Sequence, residues 1–138
     1  TVGHVHFGIF EKMTRDLYEI GLQDKLMGQV NLVLIGREFI KDRGSFTLTS
    51  GVLAHDPIAS GTSASMVNGA IESFVRAAAI EMPRGLRINA VSPTVLVESM
   101  PKYAPYFRGF EPVSANQVAL AYSKSVEGLQ TGQVYHVG

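Results

Sequence analysis

The chain has 138 residues, 46% apolar and 17% charged, with 12 basic and 12 acidic side chains and so no net charge. That length supports one domain, residues 1–138, with a sizeable core, and the scattered Lys and Arg exclude an electrostatic nucleic-acid surface. No apolar run reaches the roughly 18 to 20 residues of a membrane span, and the absence of Cys and of a leader pattern at Thr1 fits a cytoplasmic protein.

Residues 1–8, rich in Gly and His, read as a loop. Residues 10–22 carry a weak helical pattern with Thr14 or Asp16 as N-cap. A stronger helix follows at 24–41, where Leu26, Val30, Val33 and Leu34 recur at three- and four-residue steps and Met27, Ile35 and Phe39 widen the stripe. Asp42-Arg43-Gly44 stops it. In 45–49, Phe46 and Leu48 alternate with small hydroxyl residues, as in a strand. A loop at 51–61 leads to a helix at 62–82 capped by Thr62 or Ser63. Val67, Ile71, Phe74 and Ala78 make one apolar face and Ala70, Ala77 and Ile80 a second, a pattern normal for a helix buried on two sides.

Pro83-Arg84-Gly85 ends that helix, and 86–92 reads as a buried strand. Residues 93–113 are irregular and hold Tyr103, Tyr106, Phe107 and Phe110. Ser114 caps a last helix to about Val126, Gly128 stops it, and 133–137 is a final strand. Strands separated by helices, with connections too long for hairpins, predict an α/β fold with a parallel sheet and right-handed crossovers. Three strands make a thin sheet of that kind.

The run Arg87-Ile88-Asn89-Ala90-Val91-Ser92-Pro93, the helix before it and Thr131-Gly132-Gln133 resemble the second half of a short-chain dehydrogenase/reductase. The resemblance implies a Rossmann-like, doubly wound parallel sheet, incomplete here because the N-terminal βαβ units lie outside the chain. It also implies NAD or NADP as cofactor, and oxidoreduction of a small carbonyl or alcohol. The family's phosphate-cradling Gly-x-x-x-Gly-x-Gly turn is absent from the sequence, so the chain by itself is expected to bind cofactor weakly or not at all. Thr1 and Gly3 stand where the family has an Asn-Ala-Gly turn at the cofactor, and Pro93, Thr94 and Val95 where the chain leaves its sixth strand beside the nicotinamide. The implied partner is another copy of the chain, as a dimer or tetramer packed through helices 24–41 and 62–82. No nucleic acid or membrane is expected as a partner.

The same resemblance assigns the family's catalytic positions, and all are substituted. The Tyr position is Ala64 and the Lys position, one helical turn later, is Asn68. The Ser position is Gly51, with Ser50 beside it, and the relay Asn is Lys25. No Tyr lies between Thr47 and Lys102, so no shift of alignment restores one. Glu98 stands where a Thr usually holds a cofactor phosphate, and a carboxylate there repels pyrophosphate. The expected pocket is therefore His4, His6, Lys25, Ser50, Ser65 and Asn68. His4 and His6, one residue apart, either border a remodelled pocket or are ordinary loop histidines; two ligands alone make a poor metal site. Lys25 either replaces the lost Lys, with His4 or His6 as proton donor, or is a surface lysine with its amine in water. Ser50, Ser65 and Asn68 either contact a ligand or bond local backbone. The overall alternatives are an oxidoreductase of altered site and a non-catalytic relative that binds a ligand or oligomerises.

Overall fold

The computed structural model describes residues 3–138. Its elements are α1 (Arg15–Gly21), a π turn (Leu22–Leu26), α2 (Met27–Gly36), β1 (Ser45–Thr49), α3 (Thr62–Glu81), β2 (Arg87–Pro93), the short α4 (Met100–Tyr103), α5 (Ala115–Glu127) and β3 (Val134–Val137). The strands form one parallel sheet in the order β1-β2-β3, with Phe46 opposite Ile88 and Val91 opposite Tyr135. This is a Rossmann-like α/β arrangement.

Strand alternation decides which helix covers which face. Phe46, Leu48, Ile88 and Ala90 point to one side, where they meet Val67, Ile71 and Val75 of α3 and Val33 of α2. Val91 points to the other, where it packs with Val113 and Val118 of the α5 side. The central strand is buried on both faces, while β1 is buried on alternate residues. The chain steps across the sheet twice in one direction but crosses on opposite faces. The two crossovers are therefore of opposite hand, and the expectation of uniformly right-handed crossovers fails. The long 94–113 connection gives the chain the reach to change face.

Local chemistry explains the boundaries. Thr14 caps α1 by accepting the Leu17 N–H, and Ser114 with Gln117 forms a reciprocal capping box on α5. Arg84 and Gly85 both have positive φ and the Leu86 N–H reaches the Pro83 carbonyl at 3.0 Å, a turn that favours Gly at its second centre. Three expectations need correction. The helix at 24–41 is shorter, because the backbone turns after Gly36 and the Arg84 guanidinium takes up the Arg37 and Ile40 carbonyls. It is also continuous with α1 through the π turn, so no break separates 22 from 24. Neither Thr62 nor Ser63 caps α3; Gly61 occupies that position, and the Thr62 hydroxyl bonds Tyr18 instead.

The two-faced burial expected of 62–82 is also absent within this chain, since Ala77 and Ile80 face solvent. No helix among the described residues is long and apolar enough to cross a membrane.

Candidate functional site

In a parallel sheet, ligands bind beyond the carboxyl ends of the strands. Ser50-Gly51 follows β1 there and Pro93-Thr94-Val95 ends and follows β2. Both segments line a cavity of about 200 Å³, joined by Lys25 from the π turn, by Ala64 and Asn68 one turn apart on α3, and by Gly3. The four substituted positions, Lys25, Gly51, Ala64 and Asn68, thus surround a single space. Thr1 lies outside the described residues.

The π turn aims Lys25. Its fifth-residue hydrogen bonding adds a residue to the turn and rotates the chain, and such bulges recur at functional sites. Lys25 is buried, not a surface lysine, and its ammonium donates to the Ser50 carbonyl at 3.4 Å. Among the described residues no carboxylate lies within ion-pair distance of it. Burial pulls its pKa down from 10.5 to about 8. Gln29, one turn on, holds the arrangement in place. Its side-chain amide donates to the Lys25 carbonyl at 3.3 Å and to the Thr49 carbonyl at 2.9 Å, and its oxygen accepts from the Thr49 N–H at 2.7 Å. It therefore pairs with the exposed edge of β1 as a neighbouring strand would.

Gly3 makes this packing possible. It has φ +82°, and a Cβ there would lie 2.5 Å from the Lys25 Cα and 2.8 Å from its nitrogen, backbone atoms with little room to yield. Gly3→Ala is expected to lift residues 3–8 off the turn and cost about 2 kcal/mol, read by urea denaturation; a cost below about 0.5 kcal/mol would show that the contact is not tight. The segment is tied further by the His4 N–H donating to Asp24 at 2.8 Å.

Gly51 and Asn68 are matched to one another. A Cβ on Gly51 would stand 3.0 Å from the Asn68 amide nitrogen, so the small residue clears space for the amide. The Asn68 oxygen is buried with no hydrogen-bond partner. Ser50 does not bond local backbone through its hydroxyl, which donates to Glu72 at 2.8 Å; Glu72 is buried and also meets Arg76 at 3.5 Å. Sequence reasoning missed both Glu72 and Gln29. The spacing of Ala64, Asn68 and Glu72 at successive fourth residues was the available signal for Glu72, since it continues the site's stripe down α3.

The remaining candidates lie apart. His4 and His6 line an adjoining cavity of about 320 Å³ with Lys102, Tyr103, Tyr106 and Phe107. Phe107 borders both spaces and stacks edge-on with Tyr103 and Phe110. The aromatic segment thus walls the mouth of the site and leaves the core to other residues. Among the described residues no group of three or more His, Asp or Glu is placed to hold a metal. Ser65 lines neither cavity, and its hydroxyl is buried without a partner. Glu98 is committed elsewhere: its carboxylate accepts the Ala115 N–H at 3.1 and 3.3 Å, at the positive end of α5.

The family model described as enoyl-(acyl carrier protein) reductase matches residues 1–135. The protein lin1944 from Listeria innocua is 51% identical, with a TM-score of 0.97 over 99% of this chain and 68% of its own. A small-chain dehydrogenase solved in complex with NADPH is 23% identical, TM-score 0.85, over 99% of this chain and 68% of its own. A short chain dehydrogenase from Mycobacterium smegmatis is 20% identical, TM-score 0.81, over 100% and 56%. The chain thus spans about two thirds or less of the length of these relatives. Comparison with curated proteins yields no match.

Proposed function

The chain belongs to the short-chain dehydrogenase/reductase family, and from that premise we propose that it forms the substrate-pocket half of an NAD(P)-dependent oxidoreductase acting on a small carbonyl or alcohol. One observation carries the reading: the substituted catalytic positions and the cofactor positions Gly3, Pro93, Thr94 and Val95 converge on one cavity at the carboxyl ends of the strands. The cavity also fits the nicotinamide end of the cofactor chemically. The unpartnered Asn68 oxygen accepts a hydrogen bond from an amide or hydroxyl of the kind that end presents. Gly3 and residues 93–95 would hold the cofactor against the sheet, and when bound it supplies or takes up hydride. Lys25 donates to the substrate's oxygen, the Asn68 oxygen accepts from it when it is a hydroxyl, and Phe107 with its neighbours excludes water.

A second reading, a non-catalytic nucleotide binder, draws on Ala64, a methyl group where the family places its proton donor. Titration of the full-length protein with NADH and NADPH by fluorescence tests the first step. Micromolar binding followed by turnover with a panel of small ketones supports the oxidoreductase, and binding without turnover supports the binder. Absence of binding overturns both. The proposed setting is cytoplasmic.

We also propose that the protein self-associates, as a dimer or tetramer, through α2 and α3. Leu32, Ile35 and Phe39 in and just after α2, and Met66 and Ile80 on α3, are exposed, Phe39 at 83% and Ile80 at 87%. Large apolar side chains grouped on adjacent helices favour an interface. Ile35→Glu with Ile80→Glu is expected to yield monomers by light scattering, and a monomeric wild type would refute the proposal.

A further inference from the structure

Lys25 and Asn68 end on consecutive residues. The Lys25 ammonium reaches the Ser50 carbonyl, and the Asn68 amide packs against Gly51. One group offers protons and the other, through its unpartnered oxygen, accepts one. Lys25 is the sole ionisable side chain among the described residues lining the cavity. The charges nearest it are engaged: Asp24 by the His4 N–H, and Glu72 by Ser50 and Arg76, while His4 and His6 face the adjoining cavity. A buried donor beside a buried acceptor, with a methyl group at Ala64 leaving room between the sheet and α3, is complementary to a hydroxyl, which both accepts and donates.

Resting on the oxidoreductase reading, we propose that Lys25 is the proton-transferring residue of this pocket and that Asn68 orients the reacting oxygen. In the reducing direction a Lys25 N–H bond breaks and an O–H bond forms at the substrate oxygen, while the carbonyl carbon gains two electrons as hydride from a reduced nicotinamide dinucleotide. The carbonyl is reduced to an alcohol, the dinucleotide is oxidised, and Lys25 is left as a neutral amine that regains its proton from solvent through the open cavity. The new hydroxyl donates to the Asn68 oxygen. The depressed pKa of Lys25, about 8, lets this exchange run near neutral pH.

The test needs no turnover. In full-length protein labelled with ¹³C at the lysine ε-carbon, the Lys25 signal, assigned by its loss in Lys25→Met, is expected to titrate at about 8, against about 10.4 for exposed lysines. 2-Butanol, a small secondary alcohol, is expected to shift that signal at concentrations that leave exposed lysines unmoved. Asn68→Ala is expected to weaken the response about three- to tenfold, the effect of one lost hydrogen bond. A Lys25 signal that titrates with the exposed lysines, or that 2-butanol does not move, overturns the proposal, and so does an undiminished response in Asn68→Ala. Failure of both NADH and NADPH to bind would end the oxidoreductase reading while leaving these signals as they are.

Discussion

Lys25→Met is expected to make the protein more stable at pH 7 by about 2 kcal/mol. An ammonium with one backbone carbonyl for company and, among the described residues, no carboxylate within ion-pair distance is costly to bury. The displacement of its pKa from 10.5 to about 8 corresponds to about 3 kcal/mol of penalty. The methionine removes that penalty, fills similar space, and gives up a long hydrogen bond worth about 1 kcal/mol. The sign with pH follows from proton counting. Below pH 8 both folded and unfolded chains carry the proton, and the native state bears the full cost. Between about 8 and 10.5 the unfolded chain holds the proton more strongly, so wild-type stability rises with pH. Above 10.5 both states are neutral and the difference is gone. Urea denaturation at pH 7 and again near pH 10 therefore reads a gain that shrinks. A variant no more stable than wild type at pH 7, or a gain that does not diminish, contradicts the burial argument. Retaining a residue that lowers stability is intelligible at a site where the same burial makes the amine reactive.

Much of this fold was legible because it depends on short-range chemistry. Phe46 and Leu48 alternate because β1 is buried on alternate residues, and 45–49 is read correctly to the residue. Ser114 and Gly128 mark the ends of α5 through hydrogen bonds that reach only three or four residues. The π turn escaped notice because a fifth-residue hydrogen bond leaves no compositional mark, and the fate of Lys25 went with it: periodicity alone allows a surface position and the turn forbids it. The cap of α3 was misread because the Thr62 hydroxyl finds Tyr18, a partner 44 positions away. The exposed Ala77 and Ile80 show the limit of reading burial from apolarity, since a face kept for another surface has the same sequence as a core face. At the site, the family's spacing brought Lys25, Gly51, Ala64 and Asn68 to one cavity but gave no hint that Ser50 bonds Glu72, because Glu72 looks like any helix carboxylate until its burial is seen.

The second large effect is expected at Asn89, in the motif that made the family readable. Asn89→Ala should cost about 3 to 4 kcal/mol. The side chain is fully buried on the α5 face of the central strand. Its amide nitrogen donates to the Ser125 hydroxyl at 3.1 Å and to the Gln130 carbonyl at 3.0 Å, and its oxygen accepts the Gln133 N–H at 3.0 Å. Ser125 in turn bonds Thr47 on β1 at 2.7 Å. One amide thus joins β1, β2, α5 and the turn that sets β3 in register. Alanine empties a fully buried site and leaves the Ser125 hydroxyl and the partly buried Gln133 N–H and Gln130 carbonyl each short of a partner, at about 1 kcal/mol or more for each lost bond. Leucine, close in size, restores packing but not the partners and should recover little. Asn89→Asp keeps the acceptor for Gln133 while burying a charge beside the Gln130 carbonyl. Its deficit should therefore be largest at neutral pH and shrink on acidification, as the carboxyl protonates and regains a donor. A loss below about 1 kcal/mol for alanine would show that water enters and replaces the amide. In that case β3 would owe its register to its ladder with β2 and to the Thr131 and Gly132 bonds to Ile88.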